Sequence, residues 1–343
     1  MIAEGPDREA DQLENVPVPE SQPVLIGHGE AMDELLARLA AGRMPGGVLI
    51  HGPRGIGKAT FAFQLARSVF AATSDEDPAH IDAQVTSGSF PNLFVLRKAT
   101  RDTGKGFYTV IRVEEIRAFV DQLRKTRGRA GHRIAIIDAI DDCNASSANA
   151  LLKILEEPPA DTTFLLVSHR PGSLLPTIRS RCVQVALRPI SADDTRRVLE
   201  ANGSEGELDF AVALAAGRPR RGFEALKLAD GGTLDRLRNW LADPGATPPA
   251  ARLALADALG ANRDSAELRF ARDLIFDSIA AEATDAARSG DRRRLASANE
   301  LWEKAELSLA DTDEYNLDMR QTLVAILDAI WKHQQNSVAT VQP

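Results

Sequence analysis

The segment Val48–Ala66, "VLIHGPRGIGKATFAFQLA", constrains the fold of this chain more than any other. An apolar run typical of a buried strand leads into a glycine-rich turn, and an apolar-periodic helix begins directly after the turn. Gly52, Gly57 and Lys58 take the fixed positions of G-x-x-x-x-G-K, a loop whose backbone N–H groups cradle phosphates. Gly55 lies inside the same loop. The pattern therefore predicts an α/β domain with a phosphate-binding loop.

Four further apolar runs alternate with amphipathic helical patterns: "PNLFVLR", "HRIAIIDA", "TTFLLVSH" and "CVQVAL". Strands that alternate with helices predict a parallel sheet with helices on both faces. After Pro189 the strand patterns stop, and three short helices are followed by long amphipathic helices. The predicted divisions are a disordered, acidic and proline-rich lead-in over 1–22, the phosphate-loop domain over 23–189, a small three-helix domain over 190–232, an all-helical domain over 233–335 and a frayed tail over 336–343.

Composition restricts the compartment and the class of partner. The formal net charge of -8 argues against a general nucleic-acid coat protein, because phosphate binding needs a basic surface. Cys143 and Cys182 are the two cysteines, too few for a disulfide framework or a four-cysteine zinc site. No apolar run approaches the roughly 20 residues that span a bilayer. We expect a cytoplasmic protein, since unpaired thiols fit a reducing compartment.

The loop lacks one residue that nucleotide hydrolysis uses. Ser or Thr normally follows the lysine and coordinates Mg²⁺, but this chain has Ala59. Thr60 is a candidate contact for the nucleotide, although it cannot easily replace the missing hydroxyl, because one helical step rotates a side chain by about 100°. The sequence thus predicts a loop that holds phosphate without the usual metal ligand.

A second loss lies at the strand "RIAIID". Asp138 ends this strand at the position of the Mg²⁺-site aspartate of phosphate-loop NTPases. In hydrolysing members a glutamate that polarises the attacking water follows, and here the residue is Ala139. Asp141 and Asp142 remain as candidate bases, if either lies within hydrogen-bond reach of that water. We expect ATP or ADP to bind weakly and not to be hydrolysed.

Two motifs, "NALLKILEEPP" and "TIRSRC", indicate the family. Together with the phosphate loop and the helical C-terminal part, they resemble the clamp-loader branch of the AAA+ ATPases, over about Val24–Lys332. "LIGH", Leu25–His28, matches the element with which that family wraps the adenine. The resemblance implies an α/β fold in which an AAA+ P-loop domain with a parallel sheet precedes a small three-helix lid domain and an all-helical collar domain that closes the oligomer.

The resemblance also implies an activity. Clamp loaders of bacterial DNA polymerase III are pentamers that open the ring-shaped sliding clamp and load it on primed DNA during replication. The partners implied are motor ATPase subunits and the delta subunit, with the clamp contacted indirectly. A non-hydrolysing member lends the arginine of S-R-C to a motor neighbour's ATP, and that arginine matches Arg181 here. Ser168 matches the first sensor position, and Arg220 or Arg221 matches the second.

Two features depart from the family pattern or stay open. The four-cysteine zinc module of many relatives is absent, and His80 has no co-ligands, so no zinc is expected. The basic run Arg124–Arg133 is either a solvated loop or a contact with phosphates of DNA or with a neighbouring subunit.

Three alternatives remain at this point. The chain could be a hydrolysing motor of the same assembly, which Ala59 and Ala139 argue against. It could be an unrelated phosphate-loop enzyme such as a kinase, which would leave S-R-C and the helical C-terminal third without a role. It could also be a scaffold without an arginine finger. Arg181 distinguishes this alternative from a non-hydrolysing subunit that lends its arginine to a neighbour's ATP.

Overall fold

A computed structural model of the chain describes residues 12, 13, 15–101, 106–125, 130–228 and 232–339. Contacts divide these residues into two compact units. The first consists of the described residues up to Leu208 together with Ala215–Phe223. The second consists of Asp209–Leu214 and the described residues from Glu224 onward. The three-domain division of the sequence stays a prediction.

The first unit is built on a five-stranded sheet in which every strand pair is parallel. The strands are β1 (Gly47–His51), β2 (Leu93–Leu96), β3 (Arg133–Asp138), β4 (Thr162–Ser168) and β5 (Val183–Ala186). Their order across the sheet is β2-β3-β4-β1-β5. All five apolar runs therefore form the predicted strands, and the α/β fold class is confirmed.

The central strands β1, β3 and β4 are buried on both faces, as is usual in parallel sheets. Val48 and Ile50 of β1 point into one apolar cluster with helix residues such as Phe61, and Leu49 points into the other with residues such as Leu151. The helices around the sheet are α1 (Gly29–Ala40), α2 (Lys58–Thr73), α3 (Pro78–Thr86), α4 (Val113–Lys125), α5 (Ala145–Glu156) and α6 (Pro176–Arg179).

After Pro189 the described residues form helices and no further strand, as predicted. These are α7 (Ala192–Ala201), α8 (Leu208–Ala215), α9 (Pro219–Leu226), α10 (Thr233–Ala242), α11 (Pro249–Gly260), α12 (Ala266–Ser289), α13 (Arg292–Glu314) and α14 (Met319–Ala339). None of the described helices is long and apolar enough to cross a membrane.

Two terminal predictions need correction. The lead-in was predicted to be disordered over 1–22, but Pro19–Ser21 form a 3-10 turn. Gln64 donates to the carbonyl oxygen of Gln22 (2.6 Å), and Arg67 donates to the carbonyl oxygen of Glu20. Composition alone does not reveal these partners, because they lie in α2. Residues 1–11 and 14 are outside the described residues.

The predicted frayed tail over 336–343 is wrong for its first part. α14 continues to Ala339, since no proline or glycine interrupts the helical pattern after His333. Residues 340–343 lie outside the described residues.

Candidate nucleotide site and the S-R-C arginine

The phosphate loop connects β1 to α2 and depends on glycine backbone geometry. Gly52 has φ 150°, and a Cβ built on it would lie 2.3 Å from the carbonyl oxygen of Leu187. Gly55 has φ 83°, and its Cβ would lie 2.8 Å from Cβ of Arg220. Gly57, with φ 96°, is the residue before α2. The loop thus opens α2 with its first N–H groups free of intrahelical partners, which favours an anion.

Lys58, the phosphate-binding lysine of the motif, is buried and contacts its own loop. Its Nζ donates to the carbonyl oxygens of Gly52 (2.9 Å) and Pro53 (2.7 Å). Ala59 and Thr60 follow Lys58 and line the same cavity.

The cavity beside this loop has a volume of about 260 Å³ and lies within the first unit. One wall is apolar and includes Leu25 and Ile26 of the "LIGH" element. His28 of that element has Nε2 2.9 Å from the carbonyl oxygen of Ile56, which ties the element to the loop. An apolar wall next to a phosphate cradle suits a nucleotide, which presents a flat base and an anionic tail.

Cationic side chains line the polar part of the cavity. Besides Lys58, they are Arg54 and Arg220. The backbone N–H of Arg220 donates to the carbonyl oxygen of Gly55 (3.2 Å). Arg221 is buried and does not line the cavity. Of the two candidates for the second sensor, Arg220 is therefore the one that faces this site.

Asp138 also lines the cavity, and a neighbouring arginine is paired with it. Arg97 follows β2, and its Nε lies 3.5 Å from Oδ2 of Asp138. Its two terminal nitrogens donate to the two carboxylate oxygens of Glu20, at 3.0 Å each. Burial lowers the pKa of Arg97, and Asp138 opposes that change; burial and the charge of Asp138 raise the pKa of Glu20.

Sequence reasoning missed Arg97 and Glu20. Neither belongs to a motif, and they lie 77 positions apart in sequence. One signal was available for Arg97: it directly follows a strand, and the carboxyl ends of parallel strands are where α/β sheets bind ligands.

The carboxylate of Asp141 accepts hydrogen bonds from residues at the end of β4. Its Oδ1 accepts from Oγ of Ser168 (3.0 Å) and from the N–H of Arg170 (3.0 Å), and its Oδ2 accepts from the N–H of His169 (2.6 Å). Ser168 is fully buried. Its neighbours Val167 and His169 line the cavity, whereas Ser168 points to Asp141. Asp141 thus has the role of a strand-end cap in this conformation.

Mg²⁺ does not fit the residues present. Ala59 has no hydroxyl, Asp138 is paired with Arg97, and Ala139, in the place of the water-polarising glutamate, is buried. ATP or ADP does fit, because the glycine cradle, the lysine and the apolar wall are all in place. Within the described residues no group of three His, Cys, Asp or Glu side chains could hold a metal ion.

Arg181 lies at the amino-terminal ends of the strands, whereas this cavity lies at their carboxyl ends. It precedes β5, and a Cβ on Gly47, the first residue of β1, would lie 3.3 Å from its carbonyl oxygen. The phosphate loop begins at Gly52, directly after β1. Gly52 is five residues beyond Gly47, which corresponds to about 16 Å of strand. Arg181 is therefore too far away to serve the cavity of its own chain.

The guanidinium of Arg181 is partly exposed and has two partners. Nη1 donates to the carbonyl oxygen of Thr177 (2.8 Å), and Nη2 pairs with Oε1 of Glu156, the last residue of α5. The motifs "NALLKILEEPP" and "TIRSRC" thus meet in space. The next residue, Cys182, is half-buried, and burial raises the pKa of its thiol to about 11.

The basic run Arg124–Arg133 is only partly described, since 126–129 lie outside the described residues. Arg133 is buried, and its guanidinium donates to the carbonyl oxygens of Leu123 (2.8 Å) and Ala160 (3.2 Å). The run was predicted to be a solvated loop or a contact with phosphates or a neighbouring subunit; this is wrong for Arg133, which is buried as the first residue of β3.

Comparison with known proteins shows which proteins this part of the chain is similar to. Residues 27–191 match the family model described as "DNA polymerase III, delta subunit". Over these residues the chain is similar to DNA polymerase III subunits, delta' among them. DNA polymerase III subunit delta' of Pseudomonas aeruginosa is 34% identical over 179 residues, which cover 50% of this chain and 52% of that protein. DNA polymerase III subunit tau of Escherichia coli is 30% identical over 180 residues, covering 51% of this chain and 27% of tau.

The matched part spans about half the length, or less, of these curated relatives. Among solved structures, a DNA polymerase III gamma subunit-related protein from Thermotoga maritima aligns with a TM-score of 0.42 at 18% identity, over 88% of this chain and 98% of that chain.

Proposed function

We propose that this chain is a clamp-loader subunit that does not hydrolyse ATP itself and lends Arg181 to ATP bound by a neighbouring motor subunit. The assembly would be the clamp loader of DNA polymerase III, with motor ATPase and delta subunits as partners and primed DNA and the sliding clamp as its targets. The similarity to subunits delta' and tau supports this choice of complex.

The position of Arg181 is the observation that carries the proposal. Its guanidinium is partly exposed, and Arg181 lies at the amino-terminal ends of the strands, away from the chain's own nucleotide cavity at their carboxyl ends. A planar guanidinium matches the oxygens of a phosphoryl group and stabilises the charge that develops there during transfer. Because its own cavity is out of reach, the phosphate it serves belongs to another subunit.

The nucleotide cavity supports the second half of the proposal. ADP or ATP would be held by the loop N–H groups, with Lys58 and Arg220 directed at its phosphates. Among the described residues, Ala139 replaces the glutamate, Asp141 is bonded to Ser168, His169 and Arg170, and Asp142 pairs with Lys98, so neither candidate base is available to activate water. Bound nucleotide would therefore remain intact.

The test is reconstitution of the loader with Arg181→Ala in place of the natural chain. We expect the complex to assemble and its DNA- and clamp-stimulated ATP hydrolysis to fall, while isolated chain releases no phosphate. Arg197→Ala is the matched control, since Arg197 is an exposed arginine in the same unit and pairs with Asp194, three residues earlier in the same helix. Equal hydrolysis by both variant loaders would refute the role of Arg181.

A further inference from the structure

The carboxylate at the metal position of this site is already paired with a side chain of the protein. β2 and β3 are neighbours with Leu96 opposite Ile137, so Arg97 and Asp138 leave the sheet side by side. Arg97 Nε lies 3.5 Å from Asp138 Oδ2. In hydrolysing phosphate loops the corresponding aspartate faces Mg²⁺.

Arg97 is held in this place from three sides. Glu20 accepts from both of its terminal nitrogens, in the bidentate geometry that fixes a guanidinium most firmly. The ring of Phe63, in α2, lies with its centroid 5.3 Å from the guanidinium carbon. The side chains of Arg97, Glu20 and Asp138 are each 18% exposed, so the group is largely shielded from water.

Electrostatics explains why a resident cation matters here. An unpaired carboxylate beside the loop would repel the phosphates of a nucleotide, and Mg²⁺ ordinarily removes that repulsion by bridging the two. Arg97 places a positive charge beside Asp138 and shares it with Glu20, while Lys58, Arg54 and Arg220 line the cavity. To bind Asp138, Mg²⁺ would have to displace a guanidinium that is largely shielded from water, and Ala59 offers no second ligand.

We propose that this site binds ADP and ATP without a divalent cation, with Arg97 supplying the positive charge at Asp138. The inference rests on the proposed nucleotide site and is independent of Arg181. A chain that binds no nucleotide could still lend Arg181 to a neighbour, so the two proposals fail separately.

The experiment is a fluorescence titration of the full chain with N-methylanthraniloyl ADP and ATP, in excess Mg²⁺ and in EDTA. For the natural chain we expect the two dissociation constants to agree within about threefold. Ala59→Thr restores one metal ligand, but it should leave the nucleotide affinity independent of Mg²⁺, because Asp138 remains paired with Arg97.

The triple variant Ala59→Thr, Glu20→Gln, Arg97→Gln frees Asp138 without leaving Glu20 as an unpaired buried carboxylate. This variant should bind ADP more tightly in Mg²⁺ than in EDTA by about tenfold or more. Lys98→Gln is the matched control: Lys98 is the adjacent cation and pairs with Asp142 (3.1 Å), so this variant should behave as the natural chain. Thermal unfolding establishes that each variant is folded.

Four results would overturn the proposal. The first is natural chain that binds nucleotide at least about tenfold more weakly in EDTA. The second is natural chain that binds neither nucleotide in either buffer. The third is Ala59→Thr alone gaining the Mg²⁺ dependence expected of the triple variant. The fourth is a folded triple variant that gains none.

Discussion

Gly52 shows how single residues fix the phosphate loop. Its φ of 150° suits glycine, and an added Cβ would meet the carbonyl oxygen of Leu187 at 2.3 Å. That oxygen is backbone and cannot rotate away, so either the loop or the end of β5 would have to move. The loop is therefore specified by the close approach of two chain segments as well as by the motif.

Gly52→Ala should lower the free energy of unfolding by about 1–3 kcal/mol, the range for a strained backbone position. Urea denaturation measures this change. Gly29→Ala is the control, since nothing lies within 4 Å of its added Cβ and its φ is ordinary; its effect should stay within about 0.5 kcal/mol. Equal midpoints for the two variants would contradict the steric account.

The reactivity of the two cysteine thiols should depend on pH in a way that folding changes. Burial raises the pKa of the Cys182 thiol to about 11 and, with help from Asp142, that of Cys143 to about 12. The thiolate is the reactive form, so at pH 8 native chain should react with a disulfide reagent roughly a hundredfold more slowly than unfolded chain, whose thiols have a pKa near 8.5. The native rate should rise as pH approaches 11. A native rate equal to the unfolded rate at pH 8 would show that the thiols are accessible and ordinary.

At the scale of elements, local pattern was sufficient for the sheet and insufficient for the polar contacts of the site. Apolar runs such as that of β3 identify strands because the central strands are buried on both faces. The motif likewise placed Gly52 and Lys58. The Arg97–Glu20 pair could not be found this way, since it joins the end of β2 to a segment that composition predicted to be disordered. Ser168 was placed on the correct strand, but the partner of its hydroxyl, Asp141, depends on how the chain folds back after β3.

Helix α5 ends at Glu156, which pairs with Arg181, and its first turn is stabilised by an N-cap. The side chain of Asn144 accepts from the N–H of Ser147 (2.9 Å). Asn144→Ala should lower the free energy of unfolding by about 1 kcal/mol, the usual loss for an N-cap. Ser146→Ala, an exposed change within the same first turn, should be nearly neutral. Thermal or urea unfolding compares the two, and an equal loss in both would argue against the cap.

At the scale of the whole molecule, the second unit exposes large apolar side chains in and just after α13. Leu307 of α13 is 64% exposed, and Leu317, after that helix, is 50% exposed. The family resemblance implies that such helices form the collar of an oligomer. Contacts between subunits would cover these side chains.

Replacement of both residues, Leu307→Glu with Leu317→Glu, should leave the isolated chain folded and weaken its assembly with motor and delta subunits. Loss of apolar burial at about 1.5–3 kcal/mol per side chain corresponds to at least a tenfold weaker complex. Leu253→Glu, at an apolar position of α11 that is 47% exposed, is the comparison. Size-exclusion chromatography of mixed subunits reads the result. Unchanged co-elution of the double variant would place the interface elsewhere.

The central claim, that Arg181 acts on a neighbour's ATP, is tested most directly at one interface alone. The measurement is single-turnover hydrolysis by a reconstituted loader in which only the motor site next to this chain can hydrolyse ATP, with either natural chain or Arg181→Ala. With Arg181→Ala we expect an intact complex whose rate falls by about 10³-fold or more, the contribution of an arginine finger at its own site. Arg181→Lys should recover little of this rate, because an ammonium lacks the planar fork. An intact complex that hydrolyses ATP at the natural rate with Arg181→Ala would contradict the account.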